Sequence, residues 1–572
     1  MIRSSLAGFV AAGCIAVVQA ASSLSDVCTV AHVQDSLPDD ALLGVTIQSS
    51  TVTAAAVYNY NDTGSPFFPD TVVSFCNVTF GYSHNGKDDQ VLVNYFLPAP
   101  AEFKKRYVSQ GGGALDIYSG TATIAGGVQY GAVNGGTDGG FGSFSASFDE
   151  VVLLDNGTVN LDIVNLFGYQ AHYELGVLGR AFTRLFYGMS EQEKLYSYFQ
   201  ACSEGGREAF SQLQRYGDLW DGASVGAPAF RYSFQQVQHL FSNVVEKTIG
   251  YNPPLCEMAT IVNATINYCD GLDGKNDGVV ARTDLCKLKF NLDTLIGNSY
   301  ECPASGSAPA QKGNITEKGV EVAKEIINGL HDSKGRRVYI SYQPTADFHD
   351  AQTTYNSETD SWDISIVGLG GEFVTQLLQN LDIENLPSLE GVTYDTLKYW
   401  MIEGMQRYQD TLQVNWPDLT PFQASGGKLI HFHGESDSSV PTASSVRYWE
   451  SVRNTMYPDL DYANSTAAIK DWYRLYLVPG AAHCDWNDEQ PNGPWPQTGL
   501  QTIIDWVENN IEPVRLNGTV GAGDNAGQIM EICAWPLRPY WTNDGKNLEC
   551  EYDQASIDTW LYEFDGVPVP VY

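Results

Sequence analysis

The stretch EKLYSYFQACSEGGREAFSQLQRY, residues 193–216, constrains the fold more than any other part of the chain. Its first half is apolar and aromatic enough for a buried strand, and the apolar residues of its second half recur at helical spacing. Ser203 lies at the bend between the two halves. In one interpretation the bend is an ordinary turn, with Ser203 capping the helix and Cys202 in a structural disulfide. In the other, a strained strand-to-helix turn exposes Ser203 as a nucleophile.

Further strands and helices alternate along the chain and predict an α/β fold with a parallel, doubly wound sheet. The pattern breaks from about residue 234 to 408, where four cysteines, an Asp/Gly-rich loop and a Ser/Gly/Pro-rich connector occur. We therefore expect a main domain in two parts, residues 21–233 and 409–572, with a lid inserted at 234–408. The elements that indicate the main domain are the strand segments 91–100, 106–117, 221–230, 428–441 and 473–486 and the helix segments 207–216, 444–457 and 498–510.

The beginning of the chain has the pattern of a secretory signal, with an arginine, a short apolar stretch and small residues ending at Ala20. That stretch is too short to cross a bilayer, and we identify no later candidate. Cleavage after Ala20 would also remove Cys14 and leave an even number of cysteines, which in a secreted chain predicts a disulfide framework. Potential N-glycosylation sites fit the same extracellular location; they are Asn61, Asn77, Asn156, Asn263, Asn314, Asn464 and Asn517.

The net charge of −36 disfavours several classes of partner. With 32 basic and 68 acidic residues, the surface repels nucleic acid and anionic membranes and does not suit phosphate-rich substrates. Neutral or phenolic small molecules remain as ligands. The sequence leaves the oligomeric state open.

Three residues at the ends of predicted strands form a candidate catalytic triad, in the chain order of α/β-hydrolases. Ser203 is the nucleophile, and small residues flank it as close strand–helix packing requires. Asp437, in the polar loop of HGESDSSVP, is the candidate acid, with Glu435 as the alternative. His483, in VPGAAHCDW, is the candidate base. The non-catalytic alternatives are a helix-capping turn aspartate and a structural histidine.

The nucleophile and the base each have a cysteine beside them: Cys202 precedes Ser203, and Cys484 follows His483. Because bridged Cα atoms lie ~5.5 Å apart, a Cys202–Cys484 bond would hold the hydroxyl and the imidazole within reach of each other. The sequence therefore predicts this bond and a preorganised Ser–His pair. Since no triad member is missing, a catalytically inactive hydrolase fold used only for binding is disfavoured.

The motifs that carry a family resemblance are the pairs CS and HC, the segment HGESD and the segment CDGLDGKNDGVV (residues 269–280). Through them the sequence resembles the fungal tannase and feruloyl esterase family. The resemblance spans nearly all of the chain after the signal, and segments such as TPFQASGGKLIHFHGESD are closest to the tannase branch. It implies an α/β-hydrolase fold with a large inserted lid, and it carries over Ser203, Asp437 and His483 as the triad. It also implies a small phenolic ester as substrate, a gallate ester or, in the alternative, a hydroxycinnamate ester of plant cell-wall sugars.

Residues 269–280 are also a candidate calcium site. Glycines between the aspartates allow sharp reversals, and oxygen ligands from one short loop suit Ca²⁺. The loop is not an EF-hand, because a lysine occupies the third position, and a solvated acidic turn is the alternative. The family pattern implies a structural calcium ion bound by the side chains of three aspartates and by two carbonyls, from Asp270, Asp273, Asp277, Lys275 and Val279.

The remaining cysteines are paired by proximity and by the family resemblance. The implied bonds are Cys28–Cys76, Cys256–Cys302, Cys269–Cys286 and Cys533–Cys550. The bond between Cys269 and Cys286 would bracket the candidate calcium loop.

Serine catalysis also needs hydrogen-bond donors for the oxyanion of the tetrahedral intermediate. We expect one donor to be the backbone N–H of Glu204, the residue after the nucleophile. The other is expected from the glycine triplet at 111–113, specifically from Gly112 and Gly113, since this triplet follows an early strand. A flexible turn is the alternative interpretation of the triplet.

Overall fold

A nine-stranded mixed sheet forms the centre of the protein. The computed structural model describes residues 23–306 and 308–572, so the predicted signal at 1–20 lies outside the described residues. We number the strands of this sheet in chain order: β1 Val45–Asp62, β2 Thr71–His84, β3 Val91–Pro98, β4 Arg106–Gln110, β5 Ala132–Thr137, β6 Tyr196–Cys202, β7 Gly222–Gly226, β8 Lys428–Gly434 and β9 Tyr473–Val478.

The strand order across this sheet is β1-β2-β3-β5-β4-β6-β7-β8-β9. Strands β1, β2, β3 and β5 pair antiparallel with one another in that order, and from β5 through β9 every neighbouring pair is parallel. All residues of β7 and β9 are buried, as expected for strands covered on both faces. This confirms the predicted α/β-hydrolase fold.

Helices cover both faces of the sheet. The helix Glu204–Arg215 begins directly after β6, and the helices predicted at 444–457 and 498–510 are present with ends shifted by about one residue. The main flanking helices are Gly120–Val128, Ala171–Phe186, Glu204–Arg215, Ala443–Met456, Tyr462–Lys470 and Gly499–Asn509.

The chain between β7 and β8 forms an insertion, residues 227–427, which includes residues 234–408; that these residues form a lid stays a prediction. The insertion is mainly helical, and the amphipathic segment that begins at Glu317 is a helix capped by Thr316. Its helices are Tyr232–Gln238, Phe241–Ile249, Leu255–Cys269, Thr283–Lys289, Glu317–Asn328, Gly368–Glu372, Tyr394–Tyr408 and Thr420–Ala424, and its two hairpins pair Ser299–Cys302 with Gln311–Asn314 and Thr353–Asn356 with Ser361–Ile364.

The C-terminal region of the chain forms small antiparallel elements, of which the first strand precedes the helix Gly499–Asn509 and the others follow it. Their strands are Pro494–Trp495, Arg515–Val520, Ile529–Cys533, Leu537–Thr542 and Asn547–Tyr552, followed by the helix Gln554–Asp558. The side chain of Arg538, from this region, is buried and bonded to Glu435 and to Asp284 of the insertion. One buried guanidinium thus connects the three parts of the fold.

Six of the seven predicted glycosylation sites have exposed asparagines. Asn77 is the exception, because its side chain is half-buried in β2 and accepts a hydrogen bond from Asn94 at 2.7 Å. Among the described residues, no helix has the length and apolar composition that crossing a membrane requires.

Candidate active site

Ser203 lies on the sharp turn between β6 and the helix Glu204–Arg215. Its backbone has φ 63° and ψ −125°, which non-glycine residues rarely adopt and which costs ~1–3 kcal/mol. The turn also needs a residue without a side chain two positions later, because a Cβ on Gly205 would lie 2.5 Å from the carbonyl oxygen of Gly112. This geometry is that of a nucleophile elbow, which presents the serine hydroxyl above the sheet.

His483 lies between Ser203 and Asp437. Its Nε2 is 2.8 Å from the hydroxyl oxygen of Ser203, and its Nδ1 is 2.8 Å from Oδ2 of Asp437. The three residues follow β6, β8 and β9, and parallel neighbouring strands end at the same edge of a sheet. The fold therefore brings Ser203 and His483, which are 280 positions apart, within hydrogen-bond distance.

The carboxylate of Asp437 is fully buried and held from several sides. The backbone N–H groups of Ser439 and Val440 donate to Oδ1 at 2.8 Å each, while His433 Nε2 lies 3.1 Å from Oδ2. Burial alone raises the pKa of Asp437, but the charge of His483 and hydrogen bonds from His433 and His483 outweigh it and hold the pKa below its ordinary value. Asp437 is therefore a carboxylate that can stabilise a protonated His483.

A disulfide joins Cys202 of the elbow to Cys484 of the loop that carries His483, with Cα atoms 6.0 Å apart. Cys484, like Ser203, has a positive φ (56°), so the bond links two turns of unfavourable backbone conformation. The other disulfides join the same pairs that the sequence analysis gave: Cys28–Cys76, Cys256–Cys302, Cys269–Cys286 and Cys533–Cys550.

Glu435, the alternative acid, has other partners. Its carboxylate accepts hydrogen bonds from Arg538 at 2.7 and 2.8 Å and from the Thr283 hydroxyl at 2.7 Å. These contacts tie the loop after β8 to the insertion and to the C-terminal hairpin. Asp437, and not Glu435, is the carboxylate that contacts His483.

The prediction that Gly112 and Gly113 provide oxyanion donors is wrong in this structure, because both backbone N–H groups donate to other acceptors. Gly112 N–H donates to the Glu208 carboxylate at 2.8 Å, and Gly113 N–H donates to the carbonyl of Asp116 at 2.9 Å. The reason is that Glu208, one helical turn after Glu204, reaches the glycine loop. No acceptor within the described residues binds the backbone N–H of Glu204, which stays a predicted donor.

A cavity of about 440 Å³ opens beside Ser203. It is lined by apolar and aromatic side chains, which include Phe67, Tyr118 and Leu369, and by polar residues that sequence analysis did not identify. Gln110 and Gln200 are register partners on β4 and β6. Their Oε1 atoms and the Ser119 hydroxyl are buried and have no hydrogen-bond partner within residues 23–306 and 308–572. The sequence did carry a signal for Gln200: it lies two positions before Cys202 in the same strand and therefore on the same face.

The candidate calcium residues lie in one loop between the helices Leu255–Cys269 and Thr283–Lys289. Oδ1 of Asp270 accepts the N–H of Asp277 at 3.1 Å, and the Lys275 ammonium lies 2.7 Å from Asp277 Oδ2. Burial, with repulsion from the other two aspartates, raises the pKa of Asp273 to about 7. Mutually repelling oxygen donors fit a hard cation chemically. Within the described residues, however, no three acidic, histidine or cysteine side chains are grouped as metal ligands.

The sheet order, the elbow and the hydrogen bonds of His483 define an α/β-hydrolase with the side-chain arrangement of an ester hydrolase. The chain belongs to the tannase and feruloyl esterase family, whose model, described as tannase and feruloyl esterase, matches residues 76–555.

Three relatives show how the chain relates to this family. A tannase of Aspergillus oryzae is 48% identical over 96% of this chain and 97% of its own length. The solved tannin acyl hydrolase of Aspergillus niger is 57% identical, with a TM-score of 0.95 over 96% of this chain and 100% of that chain. A probable feruloyl esterase of Arthroderma benhamiae is 28% identical over 86% of this chain and 88% of its own length.

Proposed function

We propose that this chain is a secreted serine esterase that hydrolyses galloyl ester and depside bonds of hydrolysable tannins and releases gallic acid. The observation that carries the proposal is the position of His483, hydrogen-bonded to Ser203 at the elbow and to buried Asp437. Sequence identity of 57% and 48% to proteins named tannin acyl hydrolase and tannase supports gallate esters, since the probable feruloyl esterase is 28% identical. Five disulfides support an extracellular location.

In the proposed reaction, His483 Nε2 takes the proton from Ser203 as its oxygen attacks the ester carbonyl. Asp437 keeps the Nδ1 proton in place and stabilises the imidazolium that forms. The oxyanion accepts a hydrogen bond from the N–H of Glu204, and a donor of this kind is worth ~3–4 kcal/mol. His483 then protonates the leaving alcohol, and water hydrolyses the acyl-serine by the same route.

The cavity beside Ser203 supports a substrate with several hydroxyl groups. Gln110, Gln200 and Ser119 line the cavity, and their unpartnered oxygens, which are buried in this structure, can accept the three hydroxyls of a galloyl ring once the side chains rotate toward it. A feruloyl ring has one hydroxyl and one methoxy group, so it would leave more of these oxygens unpaired.

Hydrolysis of methyl gallate and methyl ferulate, measured in parallel, tests this function. We expect kcat/KM for methyl gallate to be higher by ~10²-fold or more, because buried polar groups left unpaired reject the poorer match. The methyl esters of benzoic acids with one or two hydroxyls provide the matched series that assigns the preference to hydroxyl number. Equal rates, or faster hydrolysis of the ferulate, would favour the alternative of a feruloyl esterase.

We also propose that the loop of residues 269–280 binds a structural calcium ion through Asp270, Asp273, Lys275, Asp277 and Val279. At calcium 100-fold above the dissociation constant, binding would stabilise the fold by ~2.7 kcal/mol, or ~2 °C in a chain this long. A chelator should therefore lower Tm by about this amount, and added calcium, but not magnesium, should restore it. The variant Asp273→Asn is the matched control, with a Tm that no longer responds. An unchanged Tm in the wild type after complete chelation would contradict calcium binding.

A further inference from the structure

A second line of polar side chains reaches Asp437, at the same carboxylate oxygen that contacts His483. His433 Nε2 lies 3.1 Å from Asp437 Oδ2, and His433 Nδ1 lies 2.6 Å from the hydroxyl of Ser445. The same hydroxyl is 2.8 Å from Nε2 of His431, whose Nδ1 is 2.8 Å from the hydroxyl of Tyr473. These four side chains, from β8, β9 and the helix Ala443–Met456, are fully buried. We call them the support chain.

With both imidazole rings neutral, the partners of the support chain allow one consistent direction of hydrogen bonding. His433 Nε2 faces two acceptors, Asp437 Oδ2 and the carbonyl of Val440 at 2.9 Å, so this nitrogen must carry a proton. In a neutral ring His433 Nδ1 is then an acceptor, and the Ser445 hydroxyl donates to it. Ser445 accepts in turn from His431 Nε2–H.

The far end of the support chain fits the same direction. With its proton on Nε2, His431 accepts at Nδ1 from the hydroxyl of Tyr473. Burial lowers the pKa of His431 well below its ordinary value, so the ring is neutral. Every polar atom in the series is satisfied without a charge, which is the condition for burying such a chain at low cost.

We propose that His433 is a positioning residue for catalysis: it holds Oδ2 of Asp437 in place for His483, while Ser445, His431 and Tyr473 fix its tautomer. The inference rests on the proposed serine esterase function. Asp437 Oδ2 accepts from His483 on one side and from His433 on the other, so the two rings fix the carboxylate plane. Ser445, His431 and Tyr473 complete this arrangement, because without the Ser445 donor the Nδ1 acceptor of His433 would be buried and unpaired.

Other polar and titratable groups also surround Asp437, and they contribute equally to the pH profiles of the wild type and of the His433 variants. The N–H groups of Ser439 and Val440 hold Oδ1. From the insertion, the side chains of His239 and Tyr342 are close enough for the charge of Asp437 to raise their pKa values, and both are bonded to Asp350. All of these contacts remain when only His433 is changed, so a difference between His433 variants reports on His433 itself.

Two substitutions at His433 form a matched pair, because the amide nitrogen of glutamine can occupy the place of the Nε2 donor and the amide oxygen of asparagine the place of the Nδ1 acceptor. His433→Gln keeps a donor toward Asp437, whereas His433→Asn keeps only the contact with Ser445. We expect His433→Asn to lower kcat for methyl gallate by ~10- to 100-fold, the effect of losing one hydrogen bond to a charged group, with KM unchanged. His433→Gln should retain most of kcat.

The pH profile separates positioning from simple packing. The acidic limb of kcat/KM reports protonation of the catalytic base. Loss of the hydrogen bond from His433 leaves Oδ2 of Asp437 a stronger acceptor for the protonated base, so this limb should move to higher pH in His433→Asn but not in His433→Gln. Similar kcat and pH profiles for the two variants, both folded by circular dichroism, would overturn the proposal. Ester hydrolysis by the wild type that is lost in Ser203→Ala establishes the esterase function independently of this outcome.

Variants of the support chain remain informative even if His433 variants do not fold. Ser445→Ala removes the donor to His433 Nδ1, and Tyr473→Phe removes only the hydroxyl at the far end. Both should reproduce the direction of the His433→Asn effects, with a loss of kcat that is larger for Ser445→Ala, although neither residue touches Asp437. Wild-type kcat and pH profile in both folded variants would contradict the tautomer-fixing role.

Discussion

Replacement of Ser203 by alanine is expected to abolish ester hydrolysis and leave the protein folded. Loss of the nucleophile in a Ser–His–Asp enzyme lowers kcat by ~10⁶-fold, because no other group can form the acyl intermediate. The substitution removes one hydroxyl, which contacts His483 at 2.8 Å, and does not change the backbone strain at φ 63°. Initial rates on methyl gallate and a thermal unfolding curve measure the two expectations. A folded Ser203→Ala protein with wild-type turnover would refute the assignment of the nucleophile.

The assignment of the acid is tested in the same assay by two carboxylate-to-amide changes. Asp437→Asn should lower kcat by ~10⁴-fold, because an amide next to His483 favours the wrong tautomer. Glu435→Gln should leave catalysis nearly intact but destabilise the fold, because Arg538 would lose one of its two buried charge partners and keep Asp284. The cost should stay below the ~3–5 kcal/mol that is typical of breaking a sole buried pair. The reverse pattern would make Glu435 the acid.

The parts of this site that could be predicted from the sequence are those fixed by local pattern. Ser203 was recognised by the strand, the bend and the helix around it, and His483 by a cysteine neighbour matching that of the serine. The parallel part of the sheet followed from alternating strands and helices, because parallel strands leave few alternative topologies. The antiparallel pairing of β1, β2, β3 and β5 was not predicted. Each of these inferences needed only nearby residues and one long-range bond.

The parts that could not be predicted depend on distant partners. Asp437 and Glu435 are two positions apart in one polar loop, and what separates their roles is Arg538, which lies more than one hundred residues later and binds Glu435. In the same way, the amide of Gly112 faces the buried Glu208 carboxylate of another element.

The support chain was missed although the sequence carried a signal for it. His431 and His433 are two positions apart on one strand, so they share a face of the sheet. Two buried histidines on one face need several hydrogen-bond partners, and such partners follow nearby in the helix that contains Ser445. What the pattern could not supply was the direction of the hydrogen bonds, which only the positions of Val440 and Asp437 determine.

Removal of the Cys202–Cys484 bond is expected to impair both stability and catalysis. The bond spans 282 positions, and the chain-entropy model assigns ~5 kcal/mol to closing a loop of this length. The double variant Cys202→Ala with Cys484→Ala also frees two strained turns, those of Ser203 and Cys484, to relax. A displacement of ~1 Å between Ser203 and His483 lowers turnover by ~10²-fold, so we expect kcat to fall by about this factor.

The double variant Cys533→Ala with Cys550→Ala is the matched control, because it removes a bond remote from Ser203. This bond spans 17 positions, for which the same model gives ~3 kcal/mol, and kcat should not change. Denaturant unfolding and kcat, measured for both double variants, therefore separate loss of stability from loss of preorganisation. If the variant lacking Cys202 and Cys484 keeps wild-type kcat while it is folded, the elbow and the base loop hold their positions without the bond, and its role is stability alone.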